Sequence, residues 1–465
     1  MLLSFSLCLL VFLVIGLLSV RKKRDTKHDY YVASNSVAPW LVGLSAVATN
    51  NSGYMFIGVI GYTYYQGFYA VLLMVAWLLG DFLASIFVHK KFQEISCCQK
   101  ESSYLSVIIF WNKFNNQYFR YLLAIIALIF LLSYAGAQLI AGAKAIHILM
   151  NWQIWQGIIL GSLVVLSYCL AGGIRASIWT DAAQSFVMFA AMLVMLYVVL
   201  QAMGGSVAVY GDLARIDNYL LLSDFQWSHL IWFFVAWMIA GFSVVAQPHI
   251  MVRFMSLNNP QHFLHMRCWY YLWFIAFYIM ATGIGLLARL YFASDTGFDA
   301  ETALPRMAQA LLPPLLTGLI LAGIFAATIS TADSLILSCS SFLSQEILPR
   351  FFTAEKSYRY ATTICVLVAV IWSLISKDSV FSLVVLSWGI LASIFVPFIF
   401  SGLINLKINP AAAAAMVVFN SGLTLILSKT TMVADYFEAA PVILLSCGFL
   451  ILIKMATWRR LNKLP

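Results

Sequence analysis

Charge is scarce in this sequence. Asp, Glu, Lys and Arg make up 10% of its 465 residues, against 63% hydrophobic residues. A soluble domain needs far more polar surface, and a mean hydropathy of +0.91 excludes one. The short alternating segments of a membrane β-barrel are missing too. There is no nucleotide-binding glycine loop, no low-complexity tract and no nucleophile, metal or cofactor constellation, so an enzyme is not expected. The eight cysteines show no metal-ligand spacing. Cys97 and Cys98 are adjacent, and the others are scattered in apolar runs, where a thiol is a small hydrophobe. A net charge of +9 would suit nucleic acid, but the placement of the basic residues gives it another cause.

What the sequence has in abundance is long apolar runs. They predict an all-α polytopic membrane protein with about thirteen spans. The spans fall at roughly 1–20, 37–62, 67–89, 119–149, 152–171, 175–203, 227–252, 268–292, 313–340, 358–376, 379–404, 409–427 and 439–457. With the N-terminus outside, 21 Lys and Arg fall on the inner side and 6 on the outer side. Positive charge favours the cytoplasmic side, so the expected topology is N-out and C-in, in the cell membrane. Met1–Val20 lacks a basic region before it and a small-residue cleavage site after it, so it reads as a retained span. A short interfacial helix is expected around Tyr104–Trp111, and another across the outer mouth within Gly297–Leu312.

Two spans are poor continuous helices. The second holds Asn50, Asn51, Ser52 and Gly53 at its middle, residues that weaken a helix and trade its bonds for their own. The seventh holds Gly241 and, seven residues on, Pro248, which lacks a backbone donor. The interruptions lie five spans apart, so the two helices run in opposite directions. Interrupted helices at matching positions of inverted halves point to the binding site of a secondary transporter.

The ninth span adds hard oxygen ligands. Ser330, Thr331, Asp333 and Ser334 fall within five residues of an apolar segment. Such groups need partners in hydrocarbon, and the set suits a small cation. Asp81 and Asp181 are the other acids within spans. Asp81 reads either as a partner for a backbone break or as part of a gate.

Three stretches resemble the sodium:solute symporter family, and most closely its bacterial sodium/proline symporters. They are Gly172-Gly173-Ile174-Arg175-Ala176-Ser177-Ile178-Trp179-Thr180-Asp181-Ala182-Ala183-Gln184, Gln247–Met255, and Ser330–Ser334. The likeness runs from about Asp29 to Arg350. It implies a five-plus-five inverted-repeat, leucine-transporter-like fold. Residues 37–203 would form the first repeat and 227–404 the second, flanked by an extra N-terminal helix and basic loop at 1–36 and by C-terminal helices at 405–465, all within one domain.

The resemblance also implies sites. Sodium would be held by carbonyls of Ala48, Asn51 and Ala327 and hydroxyls of Ser330 and Thr331. A second cation site or release path would use Asp181, Asp333 and Ser334 beside Ser330. Solute would meet Ser52, Gly53, Tyr54, Tyr134, Gln138, Gly241 and Val244. Compared with the proline carriers the chain has Asn50 in place of an Asp. It also has Ala240, Val244 and Tyr54 where they carry larger aromatics, so the pocket is expected to keep a polar floor with fewer aromatic walls. His249 and Arg253 are expected to orient the inner end of the seventh span.

The expected function is sodium-coupled import of a small polar solute, an amino acid such as proline or a related zwitterion, by alternating access. Na+ is the coupling ion, and the partners are the solute and the bilayer, with neither nucleic acid nor an obligate protein partner. The alternatives are a proton-coupled carrier of a small carboxylate or polyol, or a membrane sensor with this fold. The chain ends at Pro465, soon after the last span, which makes the sensor the less expected of these.

Overall fold

Inside a bilayer no water is available to the backbone, so an apolar chain must satisfy its amides within helices. The computed structural model describes all residues but 23, 25, 217–226, 293–298, 354–356, 377–378, 431–435 and 462–465. The described residues form no sheet, only an isolated bridge between Val37 and Leu257. Lys23, Lys356, Lys377 and Lys463, counted above for topology, lie outside them, as does the start of the expected outer-mouth segment.

The chain opens with α1 (Leu2–Ser19) and a short α2 (Lys27–Val32), capped by the Thr26 hydroxyl. The interrupted helix follows as α3 (Pro39–Gly53), a wide turn over Tyr54–Val59, and α4 (Ile60–Gln66). Next come α5 (Phe68–Ala84), α6 (Lys90–Gln99) and α7 (Tyr104–Asn112), the last on the stretch expected to form a short helix. α8 (Gln117–Met150) and α9 (Ile154–Ala202) are long, and α10 (Ser206–Leu213) is short. The second interrupted helix is α11 (Trp227–Phe242), a tight turn over Ser243–Ala246, and α12 (Pro248–Met255). The remainder is α13 (Phe263–Tyr291), the short α14 (Ala303–Leu311), α15 (Pro314–Ser341), α16 (Tyr358–Ile375), α17 (Val380–Leu403), α18 (Pro410–Leu427) and α19 (Ala440–Leu461).

Among the described residues, ten helices are long and apolar enough to cross a membrane. The difference from the expected number has physical causes. The two spans expected at roughly 152–171 and 175–203 run together as α9, which bends at Gly173 (φ +57°). A Cβ there would lie 2.5 Å from Tyr30 O, so only glycine lets α2 press against the bend. The interrupted stretch 39–66 is not among the ten because Asn50, Asn51, Ser52 and Gly53 lower the hydropathy of its middle, and Ala440–Ala456 is a shorter apolar helix.

α15 occupies the centre and packs against α1, α3, α8, α9, α12 and α16. It is buried almost end to end: its apolar and small residues pack on every side, and its polar ones, Ser330, Thr331 and Asp333, meet partners on α3 and α9. α5 and α11 cross so closely that a Cβ on Gly80 would lie 1.9 Å from Met238 O, and one on Gly241 the same distance from Trp77 O.

Among the acids outside the spans, one lies buried in the turn before α19. Glu438 packs against Gly389, and burial raises its pKa from an ordinary 4.5 to about 7. The folded state thus keeps a proton that the unfolded chain loses near pH 4.5. Stability from this residue is greatest below that pH and falls as pH rises to about 7, by on the order of 3 kcal/mol. The thermal midpoint of purified protein is expected to drop over this range, and Glu438→Gln to remove that part of the drop. An unchanged pH profile in the variant would contradict it.

Candidate functional site

The break in α3 follows from its residues. Ser52 sits at φ 42°, ψ −176°, a conformation no helix contains. The side chains around it replace the lost helical bonds: Asn51 Nδ2 donates to Val47 O (2.9 Å), and Ser52 Oγ accepts from Tyr54 N–H (3.0 Å). Asn50 Nδ2 reaches Tyr270 OH (2.6 Å) and Asp81 Oδ2 (3.1 Å). Tyr270 and Tyr271 also donate to Asp81, at 2.9 and 2.7 Å. Asp81 therefore braces the break by tying α3, α5 and α13 together.

The second break falls between the two residues that signalled it. Ser243–Ala246 tighten, Gln247 is extended, and Pro248 starts α12 where its missing N–H costs nothing. Trp388 Nε1 donates to Ala240 O (3.1 Å) and Ser243 Oγ (2.7 Å), and Tyr104 OH donates to Val245 O (2.7 Å). Neighbouring helices thus hold the open turn.

The first break faces the hydroxyls of α15. Ser330 Oγ lies 3.4 Å from Ala48 O and 3.1 Å from Ala327 O. Thr331 Oγ1 lies 2.9 Å from Thr49 O and 3.2 Å from Ala327 O. Ala48 O, Ala327 O and the Ser330 and Thr331 hydroxyls therefore lie together, with Thr49 O beside them. Asn51 O turns at the break, where Tyr54 N–H caps it. These neutral oxygens from two helices are donors of the kind a small hard cation uses.

Asp181, Asp333 and Ser334 also come together, a turn further along α15. Asp181 Oδ2 accepts from Ser45 Oγ (2.6 Å) and Thr49 Oγ1 (3.4 Å), and Asp333 Oδ1 from Ser177 Oγ (2.9 Å) and Ser334 Oγ (2.8 Å). Sequence reasoning missed what lies between them. The Arg253 guanidinium bonds Ser334 Oγ and Ser177 Oγ (2.6 Å) and stands 3.3 Å from Asp181 Oδ2. Arg253 does more than orient the end of its helix.

The residues expected around the solute divide. Ser52, Gly53 and Tyr54 lie at the break, and Gly53 N–H donates to Gln138 Oε1 (2.8 Å), which joins α8 to it. Tyr134 packs edge-on against His249 at 5.4 Å. Val244 is buried in the second break. Gly241 is a correction: it meets the backbone of Trp77, so it is a packing residue of the helix crossing.

Aromatic rings also gather beside Tyr54. Tyr54 lies 6.0 Å from Trp77 and 5.4 Å from Phe381, and Trp77 lies 5.1 Å from Trp388 and 6.2 Å from Trp237. The rings come from α5, α11 and α17, whose sequences offer only ordinary apolar patterns. Tyr54 OH, Trp77 Nε1, Gln138 Nε2 and both ring nitrogens of His249 are buried with no partner among the described residues. Buried polar atoms are normally bonded. A polar solute between the two breaks would satisfy this group.

Comparison with known proteins bears on this arrangement. A model of the sodium:solute symporter family matches residues 30–422. The chain is 25% identical to the osmoregulated proline transporter OpuE of Bacillus subtilis, over 98% of this chain and 94% of that one. It is 24% identical to the sodium/proline symporter of Escherichia coli, over 95% and 90%. It is 26% identical to the sodium/pantothenate symporter of Haemophilus influenzae, over 88% and 86%. Its fold matches that of a Na+-coupled sialic acid symporter solved in a substrate-bound outward-open state, with a TM-score of 0.77 at 18% identity over 96% and 95% of the two chains. A nucleobase-cation-symport-1 family transporter in a closed conformation matches with a TM-score of 0.56 at 15% identity over 90% and 94%. These structures share a leucine-transporter-like fold.

Proposed function

The chain belongs to the sodium:solute symporter family, and on that premise we propose that it couples the inward movement of sodium to import of a small zwitterion, with proline or a related amino acid the first candidate. It is a multi-pass membrane transporter, not an enzyme. The observation that carries the proposal is the meeting of Ser330 and Thr331 with the carbonyls freed by the break in α3.

Sodium would be held by Ala48, Asn51, Ala327, Ser330 and Thr331. Five neutral oxygens bind a dehydrated monovalent ion weakly enough to let it go. The ion would bridge α3 and α15, two parts of the protein that alternating access must move apart. Its binding would fix the break at Ser52–Tyr54 and so complete the solute site beside it. Ser52, Gly53, Tyr54, Tyr134, Gln138 and Val244, with Trp77 and His249, would surround the solute. Tyr54 OH, Trp77 Nε1 and a His249 ring N–H could donate to a carboxylate, and the aromatic faces suit an ammonium group. The proline and pantothenate carriers among the relatives agree with a small carboxylate-bearing solute.

We also propose the N-out topology with thirteen crossings. The interrupted helix of 39–66, the two halves of α9 and the helix α19 would join the other helices in the bilayer. The driving force is the sodium gradient plus the membrane potential, about 2.3 kcal/mol per charge per 100 mV.

The test is uptake into proteoliposomes of labelled amino acids, small carboxylates and sugars, under an inward sodium gradient, an inward proton gradient or neither. Sodium-driven uptake of a small zwitterion is expected. Uptake driven only by protons would overturn sodium coupling. Binding of a solute without gradient-driven uptake would replace the carrier by a sensor.

A further inference from the structure

Arg253 carries a guanidinium to the centre of the protein. It lies in the last turn of α12, and its side chain is 1% exposed. Nη1 donates to His249 O (2.8 Å) and fixes the side chain along its own helix. Nη2 faces four oxygens on two other helices. They are Ser177 Oγ and Asp181 Oδ2 on α9, and Ser334 Oγ and Asp333 Oδ1 on α15, the last at 3.7 Å. Both carboxylates are fully buried.

The charges in this cluster do not balance. Two carboxylates face one guanidinium, and a net buried charge is expensive. A proton on one acid or a further cation nearby would relieve it. The oxygens of Ala48, Ala327, Ser330 and Thr331 lie one turn away, and they are neutral. Thr49 joins the two places. Its hydroxyl reaches Asp181 (3.4 Å) and Ser334 (3.3 Å), while its carbonyl accepts from Thr331 (2.9 Å). Sodium above and Arg253 below would face the same two acids.

We propose that Arg253 is a tethered cation, standing where a second coupling ion would otherwise bind, so that the protein takes up one sodium ion per cycle. The inference rests on the sodium-symport reading above. The geometry supports it in two ways. The guanidinium engages the four oxygens that a free cation would need. In addition, Asp181 Oδ1 and Asp333 Oδ2 have no partner among the described residues, so removing Arg253 would leave an oxygen-rich set of two acids and two hydroxyls. Arg253 is in this sense a positioning residue that sets stoichiometry.

Equilibrium binding of radioactive 22Na+ to the purified full chain tests this without knowledge of the solute. Wild type is expected to bind one ion per chain, with a Hill coefficient near one. Arg253→Gln is expected to bind two, and Arg253→Lys one. Asp333→Asn keeps the arginine and leaves its cluster neutral before sodium arrives. It is expected to weaken the single site by at least about tenfold. Two ions in wild type, or one in Arg253→Gln, would overturn the inference and leave sodium symport standing. No sodium binding by wild type would overturn the symport reading itself. If Arg253→Gln cannot be purified folded, the Asp333→Asn titration decides: unchanged sodium affinity there overturns the inference.

Discussion

Replacing Ser330 and Thr331 together by alanine is expected to raise the sodium concentration for half-maximal uptake by about 100-fold or more, which abolishes transport at ordinary gradients. The double variant removes two of five proposed ligands, and both hydroxyls are fully buried. Each also bonds back to Ala327 O, as hydroxyls in membrane helices commonly do. If back-bonding were their whole role, the loss would be small and insensitive to sodium. Their reach across to α3 separates the two accounts: Ser330 lies 3.4 Å from Ala48 O, and Thr331 lies 2.9 Å from Thr49 O. Sodium titrations of solute uptake, beside a thermal midpoint showing that the variant folds, make the comparison. A stable variant with wild-type sodium dependence would contradict the site.

The second large effect is structural. Gly241→Val, or Gly80→Val, is expected to yield little folded protein, or a thermal midpoint lowered by more than about 10 °C. Overpacking a tight core costs several kcal/mol when side chains can shift. Here the added Cβ meets backbone, 1.9 Å from Trp77 O or Met238 O, and backbone cannot rotate away. The crossing of α5 and α11 also sets Trp77 beside Tyr54 and Trp388, so its loss would reach the proposed solute site. Gly422→Ala is the control: nothing lies within 4 Å of its Cβ, and alanine suits a helix better. Fluorescence-detected size exclusion and thermal unfolding of the three variants would show the contrast. Similar behaviour of all three would refute the close-crossing argument.

Those two predictions mark what the sequence could and could not reveal. The breaks were legible because Asn51, Ser52 and Pro248 carry their backbone chemistry in their own side chains. The hydroxyls of α15 were legible because oxygen ligands are conspicuous in an apolar span. Gly241 was misread for the opposite reason. A glycine near a break signals freedom of the chain, yet its actual neighbour is a helix 164 residues earlier, and the close approach appears only when the two pack. Trp77 and Trp388 gave no signal, since an aromatic in a span looks alike whether it faces lipid or solute. Arg253 could be seen as a costly residue in a membrane helix. Its acids lie 72 and 80 positions away in the chain, and only the junction of α9, α12 and α15 brings them together. Local chemistry reads out of a sequence, whereas a site made at a helix junction does not.

The measurement that bears most directly on the whole account is sodium-driven accumulation at zero membrane potential. Proteoliposomes would hold the same concentration of labelled solute inside and out, with potassium and valinomycin clamping the potential and sodium alone higher outside. Under sodium coupling, solute accumulates above its starting level, and reversing the sodium gradient drives it out. Solute that stays at its starting level under both gradients, although tracer exchange shows that it crosses, would contradict sodium coupling.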